Sequence, residues 1–246
     1  MLRCNQPVPG MVYLIRWTYK EDEEDRKAET AEDWVTRVRV QEATHRLLEL
    51  ARQTAAGDAG ASPQYTKIRE TLEILEMRLK SILSARDERL DISLMAMDEA
   101  EQVLRLVGTN SDDISQVYQP TLHPGEGCGG WVFEKGRPLL YHSADPESVG
   151  LYIRPEELEA DGVRSLLAYE CLLSLPWRYQ ERFIVGVIDV GSRRVDSALL
   201  NFFVLADEAK RATMDRIHGL TLEAANGILD VLGGEGHAGG LEPEGE

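Results

Sequence analysis

Two hydrophobic periods alternate along this chain, and their order predicts its elements. Val40, Ala43, Leu47 and Leu50 recur at helical spacing on one face, behind the capping pair Thr30 and Asp33, so a helix is expected over about 30–53. Tyr65, Ile68, Leu72, Leu75, Leu79 and Ile82 follow at spacings of 3, 4, 3, 4 and 3. They sit behind Ser62-Pro63, an N-cap with proline at the first helical position. Met214, Ile217, Thr221, Ala224, Ile228 and Val231 repeat those spacings in a long helix expected to begin near Asp196-Ser197 and to stop at Gly233-Gly234. Between these helices the period drops to two. Residues 90–97 and 103–107 read as the strands of an antiparallel hairpin. Residues 139–141, 164–173 and 183–191 read as further strands, with a loop over 176–182. Residues 12–19 read as one more strand, and 155–160 as a short helix with Pro155 first.

One stretch breaks both periods. Gly125-Glu126-Gly127-Cys128-Gly129-Gly130 leads into Trp131-Val132-Phe133, and Gly136 precedes Arg137-Pro138. The pattern predicts a loop, one or two helical turns, a glycine stop and a strand. Gly125, Gly127 and Gly130 match G-x-G-x-x-G, and Asp145 stands where a dinucleotide fold places its ribose carboxylate. The run-up Tyr118-Gln119-Pro120-Thr121-Leu122-His123-Pro124 is no central parallel strand, and the helix ends too soon for a crossover. Glycines that let a short helix approach a sheet explain the stretch better.

Charge narrows the classes. Lys and Arg number 27 and Asp and Glu 43 among 246 residues, a formal net charge of −16. Nucleic acid and anionic membrane surfaces are therefore not expected as partners. The three cysteines, Cys4, Cys128 and Cys171, have no paired spacing, and the five histidines lie far apart. Structural metal is not expected, and a reducing cytoplasm fits. Residues 11–17 are apolar but too short to span a bilayer, and they have no leader-like flanks. The composition of 54–60 reads as a flexible linker. The expected division is an N-terminal extension, 1–60, a domain over 61–232, and a disordered acidic tail, 233–246.

The run Pro124-Gly125-Glu126-Gly127 to Gly130-Trp131-Val132, then Gly136-Arg137-Pro138-Leu139-Leu140, resembles the "G-E-G-x-x-G-x-V-x-x-x-G-x-P" run of the GAF family. Arg164-Ser165-Leu166-Leu167 and Val185-Gly186-Val187-Ile188 resemble two of its strands, and the likeness covers roughly 62–232. It implies an α+β fold: an antiparallel sheet of five to six strands, the N- and C-terminal helices on one face and a capped pocket on the other. It also implies a cytoplasmic sensory or regulatory module without catalysis, signalling through its terminal helices. The chain departs from the family at Tyr169-Glu170-Cys171, where a proline is common.

Some GAF-like proteins reduce free methionine sulfoxide through cysteines, around a stretch resembling "G-V-C-G". Here Cys128 stands one position early, and no partner cysteines occur around 114–122 or 160–168. No Cys-His dipeptide is present for a bilin, and His123 and His142 are the only haem-ligand candidates in that half. No cofactor is named. The expected ligand-binding residues are Tyr141, His142, Tyr152, Arg154, Ser165, Tyr169 and Glu170, aromatic walls with a few polar handles. Arg154 suits an anionic ligand. The alternative is a pocket filled by its own side chains in a dimerisation or scaffold module. The segments 1–60 and 233–246 offer no output domain, so output is expected in a partner signalling protein or in oligomer geometry. Both 3-4 seams predict a homodimer through the helices at 63–86 and 207–232, unless the helix at 30–53 covers the seam within the chain.

Overall fold

The first two long helices and both hairpin strands begin within one residue of where the periods place them. The computed structural model describes residues 13–14, 31–56, 62–112, 121–142, 169–180, 182–202 and 208–234. In chain order they form β1 (Tyr13–Leu14), α1 (Ala31–Ala55), α2 (Pro63–Leu83), β2 (Asp91–Asp98), β3 (Val103–Thr109) and β4 (Thr121–Leu122). Then come α3 (Gly127–Lys135), β5 (Leu139–His142), β6 (Cys171–Tyr179), β7 (Phe183–Ser192), a 3-10 turn (Ala198–Phe202) and α4 (Glu208–Gly234). Ser62 caps α2, its hydroxyl accepting from the Tyr65 amide, with Pro63 at the first turn.

The strands form one sheet in the order β1-β5-β6-β7-β2-β3-β4. Every pairing is antiparallel. The expected α+β architecture is met. Two short edge pairings, β1 on β5 and β4 on β3, bring the strand count to seven. An all-antiparallel sheet with a two-residue β4 before α3 also disposes of the dinucleotide pattern, which needs a central parallel strand there.

α1, α2 and α4 cover one face, around Leu47, Leu72, Leu79, Leu94, Ile188 and Ile217. α3 covers part of the other, packing Val132 over Met95, Leu104, Leu139 and Val187. Four expectations are corrected. The helix assigned to an N-terminal extension belongs to the core: Leu47 and Ala51 of α1 are fully buried, and Arg46 Nη1 donates to the Leu232 carbonyl at 2.8 Å. The composition of 54–60 marks a joint but not where the preceding helix docks. The 3-4 seam of α2 is no free surface, because Tyr65, Ile68, Leu72, Leu75 and Leu79 are all buried in that same core. The loop expected over 176–182 is mostly strand. β5 begins only at Leu139, opposite Ser174, so among the described residues no strand flanks Pro176 on that side, and a proline costs little there. Finally, the C-terminal helix expected from 196 begins with a separate 3-10 turn, and α4 starts at Glu208. The Glu88 carboxylate accepts from Ser192 Oγ, Ser197 Oγ and the Ala198 amide, and so holds that turn against the sheet. The strand expected at 164–173 is described only from Cys171, and the helix at 155–160 lies outside the described residues. Among the described residues no helix is long and apolar enough to cross a membrane.

Candidate functional site

The glycine stretch sets α3 on the sheet. The Gly125 amide donates to the Gly130 carbonyl at 2.8 Å, and the Glu126 carboxylate turns back to accept from the His123 amide at 2.7 Å. A Cβ on Gly130 would stand 2.2 Å from the His123 carbonyl oxygen, so only glycine fits. Gly136 ends the helix with φ of 62°, as its position predicts. The first turn of α3 thus lies low over the sheet: a Cβ on Gly129 would be 3.6 Å from Asp189 Oδ2 and 3.7 Å from Met95 Sδ.

Register places two rows of side chains on that face. Thr109, Ser93, Asp189, Ser174 and Leu139 stand opposite one another across β3, β2, β7, β6 and β5. The next row runs Asp91, Gly191, Leu172 and Tyr141. Residues opposite each other on adjacent strands share a face. A polar row therefore crosses the sheet beside the apolar patch that α3 covers. The ring of Tyr169 lies on Gly191, with ring carbons 2.6–2.8 Å from where a Cβ would stand.

The two acids of this face differ in their surroundings. Asp91 is buried but well compensated: Arg89 Nε is 3.2 Å away, Arg193 Nε 3.5 Å, and Tyr169 shares a hydrogen bond with it. Asp189 has no such company. Its Oδ1 is buried, as is Ser174 Oγ beside it, and among the described residues neither has a well-formed hydrogen bond. Burial pushes the Asp189 carboxyl up from 3.8 to about 6, and the Ser174 hydroxyl beside it offsets only part of that. Burial, then Asp91, also raises the Tyr169 phenol.

The structure brings together only some of the expected residues. Tyr141 is buried in the second row and Tyr169 lies across it. Glu170 sits at the entrance to β6, its amide donating to the Ser192 carbonyl at 2.9 Å. His142 pairs in register with Cys171, in the row next to Tyr141's. Tyr152, Arg154 and Ser165 lie outside the described residues. Asp189, Ser174, Ser93 and Asp91 were missed. The available signal was a lone acid in the apolar run Val185-Gly186-Val187-Ile188-Asp189-Val190.

Cys128 and Cys171 are free. Burial, helped by Asp189, raises the Cys128 thiol, while burial followed by Glu88 and Glu170 pushes Cys171 up to about 12. Both are protonated at neutral pH, and thiol chemistry needs the thiolate. Iodoacetamide at pH 7.5 is therefore expected to leave these two unmodified for hours in native protein and to label them within minutes in denaturant, read by peptide mass spectrometry. Rapid native labelling of Cys128 would show a thiolate. No set of three or more acidic, histidine or cysteine side chains suited to a metal occurs among the described residues.

No protein-family model matches the chain. No curated protein matches it either. It is similar to solved GAF domains. That of an Acinetobacter phosphoenolpyruvate-protein phosphotransferase shares 18% identity, with 80% of this chain and 97% of that one covered and a TM-score of 0.40. A GAF domain/HD domain protein from Geobacter sulfurreducens shares 19%, covering 68% and 95%, with a TM-score of 0.44. fRMsr of Staphylococcus aureus, in complex with its substrate, shares 12%, covering 72% and 94%, with a TM-score of 0.39. The likeness is one of GAF-like fold, and at these values it says nothing about ligand or activity.

Proposed function

We propose that this protein is a non-catalytic regulatory module that binds a small molecule on the sheet face beside α3 and passes binding on through its terminal helices. One observation supports the reading: Asp189 Oδ1 and Ser174 Oγ are buried side by side and, among the described residues, neither has a well-formed hydrogen bond. Buried polar groups are almost always hydrogen-bonded, and one that is not calls for an explanation, of which a bound ion, water or ligand is one. The raised thiols speak against cysteine chemistry here. β6 offers a route outward. It carries Ser174, and three residues on Trp177 Nε1 donates to Asn226 Oδ1 of α4 at 3.0 Å, while the Tyr179 hydroxyl donates to Asp230 at 2.7 Å.

A broad metabolite library tested by thermal shift is expected to contain at least one compound that stabilises the protein by mass action. Tyr169→Ala, which strips one wall of the face, should abolish that shift while the protein stays folded. A library without a single stabiliser removes the reading. A second reading, pairing of two copies through α2 and α4, is favoured by Ile74, Met77 and Val231, which stay exposed on those helices.

A further inference from the structure

Resting on the ligand-binding reading, we infer that the face takes a planar nitrogen base, an amidinium, guanidinium or amino-heterocycle edge, whose N–H groups donate to the Asp189 carboxylate beside Ser174. Three observations converge. First, the face carries two acids with unequal company: among the described residues Asp91 has the guanidinium groups of Arg89 and Arg193 and the Tyr169 phenol, while Asp189 has the Ser174 hydroxyl and its Oδ1 is buried without a well-formed hydrogen bond. A buried carboxylate without compensation is costly, and a cation or strong N–H donor supplies what is missing. Second, the register places acceptors in a line. Ser93 and Ser174 flank Asp189 on the neighbouring strands, so a ligand edge with adjacent N–H groups meets a carboxylate and a hydroxyl together. Third, the walls are flat. The Tyr169 ring lies on Gly191, and Tyr141 belongs to the same row, so aromatic side chains border the place that a flat delocalised cation would take. This is opposite in charge to the anion that Arg154 would suit.

The test uses defined probes by thermal shift and calorimetry: benzamidine and methylguanidine as planar cations, n-butylammonium as a tetrahedral one, acetate and inorganic phosphate as anions. Benzamidine is expected to raise the melting temperature by about 3–6 °C at ten times its dissociation constant. Asp189→Asn should lose at least tenfold in affinity, and Ser174→Ala several-fold, so a folding failure of one variant leaves the other. No binding of benzamidine or methylguanidine at millimolar concentration overturns the inference. Equal binding of n-butylammonium overturns its planar part, and unchanged affinity in Asp189→Asn overturns the anchor. Stabilisation by acetate or phosphate alone, or by neutral library compounds alone, sinks this inference and leaves the ligand-binding reading standing.

Discussion

Leu75→Asp is expected to leave no folded protein of any mass. Leu75 is 2% exposed, between Leu72 and Leu79, which are fully buried. Truncating a buried leucine costs about 2–5 kcal/mol, and an unpaired carboxylate in its place adds several more. Together these match the about 5–15 kcal/mol that hold a typical domain. Circular dichroism should show loss of the cooperative transition. Met77, 63% exposed two residues on, is the matching control. Met77→Asp should change stability by no more than about 0.5 kcal/mol, as exposed substitutions do. If two copies pair through the outer side of α2, Met77→Asp halves the mass seen by light scattering. At −16 per chain, such pairing should tighten as salt rises to moderate strength. A folded Leu75→Asp monomer would mean that the seam is not covered within the chain.

Asp189→Asn is expected to make the unliganded protein more stable. Burial raises the Asp189 carboxyl to about 6 in the folded state against 3.8 ordinarily. A group with a raised folded value contributes stability that is complete below the unfolded value and lost as pH rises through the folded one. Two units correspond to about 3 kcal/mol. The variant should therefore gain about that much at pH 7.5. The gain should shrink between pH 6 and 4 and vanish below, because protonated Asp189 and Asn are then alike. Cys128, Tyr169, Asp91 and Arg193 face the same region and are unchanged in the variant. Urea melts across pH 4–8 measure the difference directly. A variant no more stable than the parent at pH 7.5 would show that Asp189 is already satisfied in solution. Stability given up at one residue is a frequent trade for binding.

The fold was legible wherever a period ran long enough. The 3-4 spacing of Tyr65 to Leu79 set α2 with its cap, and the glycines placed α3 and its stop at Gly136. What failed depends on tertiary context. Pro176 reads as loop because its tolerance depends on where β5 begins. The same spacing that fits a dimer seam fits a helix lying on its own sheet, and burial alone separates the two. The site was half legible. Tyr141 and Tyr169 could be picked as aromatic walls, but the acceptors come from Ser93, Ser174 and Asp189, single polar residues on three strands. Only pairing register brings them into line, and register across a gap of about a hundred residues leaves no local trace.

The docking of α1 against α4 has a consequence for synthesis. α1 ends at Ala55 and α4 begins at Glu208, 208 − 55 = 153 positions later. At about 5–20 residues per second, a ribosome needs roughly 8–30 seconds to make that stretch. For that interval α1 lacks the helix it packs against most. The two ends of the core therefore meet only after the chain between them has left the ribosome, and a nascent chain halted before Glu208 displays an apolar helix face to whatever binds such faces in the cell.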